Sequence, residues 1–272
     1  MKLGYQTITW GGVIGQVQGV TSIKDLFYQA YGSTEKALKD IAAVGYQGVE
    51  IFDGNLQEWA SNPQGFKDLL ASHSLTLASV YTGANFIYDD ILEDEFHKIA
   101  KAIEMASSMG AENLIVGGGA QRASGIRELD YSKLAQGLDR VTDLALASGL
   151  TACYHPHLST IVEGPKQLEK IMGLTKMYFC PDTAHLAAGG GNPAEIIRKY
   201  PQRIRHVHLK DFNPTPFSFL PLGKGILDLV DILKALKEIS YDGWAVVELD
   251  GYDGDPKEAA EISMKFLKAH LD

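Results

Sequence analysis

Four short strings in the second half of the chain hold most of the groups able to do chemistry. They are YHPH at 154–157, PDTAH at 181–185, RHVHLKD at 205–211 and VVELD at 246–250. Each continues a short apolar run, as a strand end does. In an extended strand residues i and i+2 point the same way. Cys153, His155 and His157 then share a direction, as do Tyr178, Cys180 and Asp182, His206 and His208, and Trp244, Val246 and Glu248. Asp182, His208 and Glu248 become the last inward residues of three successive strands. A carboxylate ending an apolar run such as WAVVE needs a cation or several donors, because burying it unpaired costs several kcal/mol. Carboxylates and an imidazole converging at one mouth are a way of collecting metal ligands. Mixed oxygen and nitrogen donors suit Mn²⁺, Co²⁺, Fe²⁺ or Zn²⁺ better than Ca²⁺. His206 lies one layer deeper than His208 and reads as a hydrogen-bonded interior residue.

The elements that must position these groups alternate along the whole chain. Strands are expected at 3–9, 48–52, 76–81, 113–116, 151–155, 177–181, 205–209 and 244–249, all short and rich in Val, Ile and Tyr. Helical periodicity falls between them, at 34–44, 96–109, 134–147, 165–172, 193–199, 229–239 and 256–270, with a segment at 56–70 broken near Pro63. Pro165, Pro193 and Pro256 fit first-turn positions. Strict alternation implies a parallel sheet. Eight such units predict an α/β fold, a (β/α)₈ TIM barrel formed as one domain over residues 1–272. A doubly wound open sheet is the competing architecture, but Gly11-Gly12 is not the glycine-rich turn it requires. The irregular stretches 11–32, 83–90, 117–128 and 213–225 each follow a strand, the face on which such barrels build active sites.

Other residues gather near that face. Lys210, two positions beyond His208, can hold a hydroxyl or a developing oxyanion. Asp211 is expected to orient Lys210 or a ligand histidine. Glu50 ends the second strand and either binds substrate or pairs with a basic group. Trp10 and Tyr81 offer apolar walls for a sugar ring, with plain packing as the alternative. Gly117-Gly118-Gly119 lacks the Lys-Ser/Thr of a phosphate loop and reads as room for a substrate near the backbone. Arg122 can meet a substrate carboxylate or phosphate, or simply face solvent.

Composition narrows the partners. The 272 residues carry 25 Lys+Arg against 34 Asp+Glu, a net charge of −9, which disfavours a nucleic-acid surface. No apolar run approaches the roughly 20 residues of a membrane span, and no export signal is visible. Cys153 and Cys180 form no CxxC pair and are expected to be buried, reduced thiols in a cytoplasmic protein.

The strings PDTAH, RHVHLKD, PLGKG and WAVVELD, in that order, resemble the xylose-isomerase-like sugar isomerase/epimerase superfamily, and GYQTITWGG and AAVGYQGVEIF extend the likeness to nearly the whole chain. The resemblance implies the barrel, one divalent metal and chemistry on a carbohydrate carbonyl. Mn²⁺ or Co²⁺ is expected ahead of Fe²⁺, Zn²⁺ or Mg²⁺. It implies a metal held by Asp182, His208, Glu248 and a carboxylate after the fifth strand. Here the chain departs from the pattern, with His155-Pro156-His157 in place of a Glu-Pro-His string. Tyr154, His155, His157 and Thr160 are similar to the fifth strand of one subgroup, the inosose (2-keto-myo-inositol) dehydratases. His155 is then the fourth ligand, with Glu163 as its rival or as an acid/base, since family epimerases carry a second Glu shortly after this strand. His185 is implied to touch substrate hydroxyls or act as an acid, and Glu248 to serve as base as well as ligand. His157 is a second candidate acid.

Proton abstraction alpha to a metal-bound carbonyl leads to epimerisation, aldose–ketose isomerisation or loss of water. Replacing a carboxylate by His155 favours loss of water from a keto-cyclitol or keto-sugar. A sugar epimerase or isomerase is the alternative, and a non-catalytic sugar-binding barrel a minor one. Related metal-dependent endonucleases need a basic groove that this chain lacks. The partner expected is a small sugar or cyclitol, with neither nucleic acid nor membrane. Family members are often dimers or tetramers, so a homo-oligomer is compatible with the sequence.

Overall fold

A computed structural model describes residues 1–11, 27–83 and 85–271, among which lie ten strands and ten α-helices. The strands are β1 (Lys2–Gln6), β2 (Gly48–Phe52), β3 (Thr76–Gly83), β4 (Asn113–Gly117), β5 (Thr151–His155), β6 (Tyr178–Phe179), β7 (His206–Leu209), β8 (Asp211–Pro214), β9 (Phe217–Leu220) and β10 (Trp244–Val247). The helices are α1 (Thr34–Val44), α2 (Asp53–Gln57), α3 (Pro63–Ser72), α4 (Leu92–Ser108), α5 (Glu128–Ala147), α6 (Pro165–Leu174), α7 (Thr183–Ala188), α8 (Pro193–Lys199), α9 (Leu229–Glu238) and α10 (Pro256–His270).

Eight strands pair in parallel in the order β6-β5-β4-β3-β2-β1-β10-β7. Isolated parallel bridges, Phe179 with Ile204 and Asp182 with His208, join β6 to the β7 side and nearly close the ring. This is the expected TIM barrel. The expected first irregular stretch, 11–32, falls largely outside the described residues. No helix among the described residues is long and apolar enough to cross a membrane.

Local chemistry explains where elements begin and end. Ser33 caps α1 by accepting a hydrogen bond from Lys36 N at 3.2 Å, and Gly45, with φ of 103°, ends it in the left-handed conformation. The segment expected at 56–70 is two helices, because Pro63 starts α3 at its first turn with Asn62 as the cap. The first strand stops at Gln6 rather than Thr9. The Gln6 side-chain oxygen accepts from Ile8 N at 2.8 Å, and Thr7–Trp10 turns into a 3₁₀ helix. In the stretch expected to be irregular at 213–225, β8 and β9 form an antiparallel hairpin. Helix α7 has no counterpart in the sequence expectation.

The barrel interior fills in layers. At its base the Trp244 ring lies over Gly48 of β2, which offers no side chain there, and packs with Ala78. A Cβ on Gly48 would lie 2.5 Å from the Trp244 ring. One layer higher, His206 meets Glu50, Ser79 and Asn113 at 3.2, 3.4 and 3.3 Å. Cys153 and Cys180 are buried free thiols packed with Ile8, Phe52, Tyr81 and Ile115. Above them the strand ends form the mouth.

Candidate metal centre and active site

Asp182 follows β6 and is the N-cap of α7. Its Oδ1 accepts from His185 N at 2.8 Å, which leaves Oδ2 turned to the mouth. The same turn places His185 above it. His155 ends β5, His208 lies in β7, and Glu248 directly follows β10. Val246 is in register with His208, so Glu248 stands one step higher on the inward face. One ligand atom from each of His155, Asp182, His208 and Glu248 lies within 4.8 Å of the others, and all four residues are buried.

These atoms fit a cation. Both ring nitrogens of His155, Oδ2 of Asp182, Nδ1 of His208 and Oε2 of Glu248 are buried with no hydrogen-bond partner. Nε2 of His155 is 3.5 Å from Asp182 Oδ2, and Nδ1 of His208 is 2.7 Å from Glu248 Oε2. Buried polar atoms are normally satisfied, so the convergence of four of these atoms, one from each residue, marks a place where a positive ion would satisfy them together. Burial raises the Asp182 and Glu248 carboxyls, but Lys210 and the ligand histidines outweigh it and hold both far below the usual carboxylate range. Both are therefore ionised, as ligands must be.

Lys210 completes the charge pattern. Its Nζ donates to Asp250 Oδ1 at 2.9 Å and lies 3.3 Å from Glu248 Oε2 and 3.6 Å from Asp182 Oδ2. It also lies 3.3 Å from His185 Nε2. An ammonium offers only donors, so Nε2 of His185 accepts and Nδ1 carries the proton. That Nδ1–H is buried without a partner. The His157 ring stacks on His185 with centroids 3.8 Å apart. Its Nδ1 donates to the Leu158 carbonyl at 2.7 Å, so its Nε2 holds the lone pair. Burial first, and the neighbouring His155 charge second, push His157 down to about 4; burial and the His157 ring hold His185 well below its usual range. The pair is neutral near pH 7.

Other expected residues are placed as follows. Tyr81 stands beside the cluster, its ring centroid 5.5 Å from His155 and 6.4 Å from His208. Glu50 does not face the mouth. It is fully buried, accepts from Ser79 Oγ at 2.6 Å and sits 3.1 Å from Nε2 of His208. Glu163 is outside the cluster, its carboxylate taken by Ser159 N at 3.1 Å, so His155 rather than Glu163 stands with the other three. Trp10 is drawn away from the mouth because its indole donates to Asp40 of α1 at 2.9 Å and its ring packs on Tyr5. Arg122 is engaged with Asp130 at 3.3 Å and the Ile87 carbonyl at 2.6 Å, and so ties loops together. Asp211 orients neither Lys210 nor a ligand. Its carboxylate accepts from the backbone of Phe212, Gly223, Gly225 and Leu227 at 2.8–3.2 Å. The space at Gly117 is taken by Tyr81, whose hydroxyl would meet a Cβ there at 1.8 Å.

Two residues escaped sequence reasoning. Asp250 is two positions beyond Glu248, and the alternation already used for the strands would have put it on the inward face. Phe219 comes from the β8–β9 hairpin, which bends back so that its ring lies 5.1 Å from His185 and 4.5 Å from Lys210 Nζ. No strand periodicity in the barrel signals that contact.

A parallel barrel with a buried His/Asp/His/Glu cluster at the strand ends is the class defined by fold and site. Residues 38–270 match the xylose isomerase-like TIM barrel family, and the chain belongs to it. Among curated proteins it is 28% identical to the inosose dehydratase of Clostridium botulinum (strain Alaska E43 / Type E3), over 86% of this chain and 88% of that one. Among solved structures, the zinc-bound IOLI protein superposes with a TM-score of 0.77 at 18% identity, over 100% of this chain and 98% of that one. The D-psicose 3-epimerase of Clostridium cellulolyticum H10, solved with D-tagatose, gives a TM-score of 0.78 at 16% identity and full coverage of both chains. At that identity the structural likeness is one of fold.

Proposed function

We propose that this protein is a divalent-metal-dependent enzyme that removes water from a keto-cyclitol or keto-sugar, in the manner of an inosose dehydratase. The observation that carries the reading is the imidazole set. His155 joins Asp182, His208 and Glu248, and the neutral His157–His185 pair stacks beside it with ring centroids 3.8 Å apart. The 28% identity to curated inosose dehydratases over most of the chain supports it.

His155, Asp182, His208 and Glu248 would hold the ion. When bound, it supplies Lewis-acid polarisation of a keto oxygen and thereby acidifies the neighbouring C–H. The free Nε2 of His157 takes that proton, and the C–H electron pair becomes the new C=C bond as the C–O bond to the β-hydroxyl breaks. The imidazolium so formed returns its proton to the departing oxygen, which leaves as water. One group can serve as base and then acid, so a low resting pKa is no obstacle. Nδ1–H of His185 donates to a substrate oxygen, and Lys210 holds the acceptor nitrogen of the same ring. Tyr81 and Phe219 give the apolar walls. Burial at this site keeps bulk water from competing for the proton. The reading goes with a cytoplasmic enzyme in which Cys153 and Cys180 stay reduced.

Epimerisation is the second reading, favoured by the shared proton-abstraction step. It needs bases on both faces of the substrate, and Glu163, the expected second carboxylate, lies outside the cluster. The test is to incubate 2-keto-myo-inositol with the protein and Mn²⁺ or Co²⁺. The expected product is an enone or diketone absorbing in the near ultraviolet. His157→Gln should suppress it at least ~100-fold, the usual contribution of a positioned acid–base group. Conversion of free ketoses to epimers or aldoses, with no absorbing product from any keto-cyclitol, would establish the isomerase reading. Sugar binding without turnover would leave a binding barrel.

A further inference from the structure

Lys210 sits among the oxygens that a metal would use. We infer that Lys210 is a resident counter-cation that sets the metal affinity of this site, and that Asp250 tempers its effect. The inference rests on reading the four-residue cluster as a divalent-metal site. Nζ lies 3.3 Å from Glu248 Oε2 and 3.6 Å from Asp182 Oδ2, two of the atoms left without a hydrogen bond. It cannot swing away easily. The side chain is fully buried, and Nζ is held by Asp250 Oδ1 at 2.9 Å, by His185 Nε2 at 3.3 Å and over the Phe219 ring at 4.5 Å.

Two consequences follow from one fixed positive charge. Without metal, Lys210 offsets part of the charge of Asp182 and Glu248, so the mouth is not left with converging carboxylates that no cation faces, which are costly when buried. With metal, the same ammonium repels the incoming dication across a few ångströms of buried space. At the effective dielectric of protein sites that repulsion exceeds a tenfold change in affinity. Asp250 faces Nζ from the other side and offsets part of its charge. Removing the Asp250 charge therefore exposes the metal to more of Lys210.

The measurement is calorimetric titration of metal-free wild type, Lys210→Met and Asp250→Asn with Mn²⁺ and Zn²⁺. Lys210→Met is expected to bind each ion at least ~10-fold tighter, and Asp250→Asn several-fold weaker. The urea midpoint of metal-free Lys210→Met should fall below that of wild type and recover when metal is added. Equal or weaker binding by a folded Lys210→Met overturns the inference. If that variant does not fold without metal, Asp250→Asn decides, and unchanged or tighter binding there overturns it. Wild-type protein that binds neither ion overturns the metal reading and this inference together. Wild-type binding with an unaltered Lys210→Met affinity overturns this inference alone.

Discussion

Nε2 of His208 lies 3.1 Å from the Glu50 carboxylate, on the side of the ring opposite Nδ1, which faces Glu248. Glu50 accepts the Nε2 proton, which leaves Nδ1 as the nitrogen a metal would take once it displaces the proton shared with Glu248. Burial would raise the Glu50 carboxyl, but His208 and His206 outweigh it and bring it down to about 2, so the acceptor is ionised. A carboxylate behind a ligand histidine fixes its tautomer and orientation. Glu50→Gln should therefore weaken metal binding roughly 10- to 100-fold without unfolding the barrel. Titration of metal-free protein followed by circular dichroism checks both halves, and unaltered affinity would remove Glu50 from the centre.

The ligand set makes a second, sharper prediction. Alanine at His155, Asp182, His208 or Glu248 should each abolish stoichiometric metal, while Glu163→Ala retains it, because the Glu163 carboxylate is turned to Ser159 N. Metal content of dialysed protein, measured by atomic absorption, decides. Loss of metal in Glu163→Ala alone would move the fourth ligand to that residue.

Stability should depend on pH through His157. Its folded pKa is pushed down to about 4, below the ordinary 6.5. Between those values the folded protein binds fewer protons than the unfolded chain, so this contribution is full above pH ~6.5 and is lost as the pH falls. His208, held well above 6.5 by Glu50 and Glu248 against the opposing effect of burial, acts with the opposite sign in the metal-free protein. Comparing wild type with His157→Gln isolates the first. Urea unfolding of metal-free protein at pH 7.5 and 5.5 should show wild type losing about 1 kcal/mol more than the variant. Parallel pH slopes would count against a half-buried, neutral His157.

Asp211 gives a structural prediction. It is fully buried, and its two oxygens take the backbone N–H of Phe212 and those of Gly223, Gly225 and Leu227 in the turn that follows the hairpin. Asp211→Ala leaves those donors to find other partners, at a cost of about 3 kcal/mol. Gly225→Ala should do similar harm, since its Cβ would lie 2.3 Å from Asp211 Oδ1. Denaturant midpoints measure both, and Phe219 should lose its place beside His185 along with the turn.

The sequence alone determined the barrel and the convergence of Asp182, His208 and Glu248, while the choice of His155 over Glu163 as their neighbour came only with the tertiary structure. Strand–helix alternation and the two-residue period of a strand are local properties, and parallel strands of similar length bring their ends to one plane. Trp10, Glu50, Arg122 and Asp211 were decided only by tertiary structure. Each is a polar or amphipathic side chain near the right face, and its role depends on which partner reaches it. Asp40 takes the indole of Trp10, His208 takes Glu50, Asp130 and the Ile87 carbonyl take Arg122, and a loop backbone takes Asp211. The His157–His185 stack and the placement of Phe219 over Lys210 likewise join residues from separate loops. Nothing in the spacing of either partner encodes the distance between them, because loop paths are set by packing against the finished barrel rather than by any repeat in the chain.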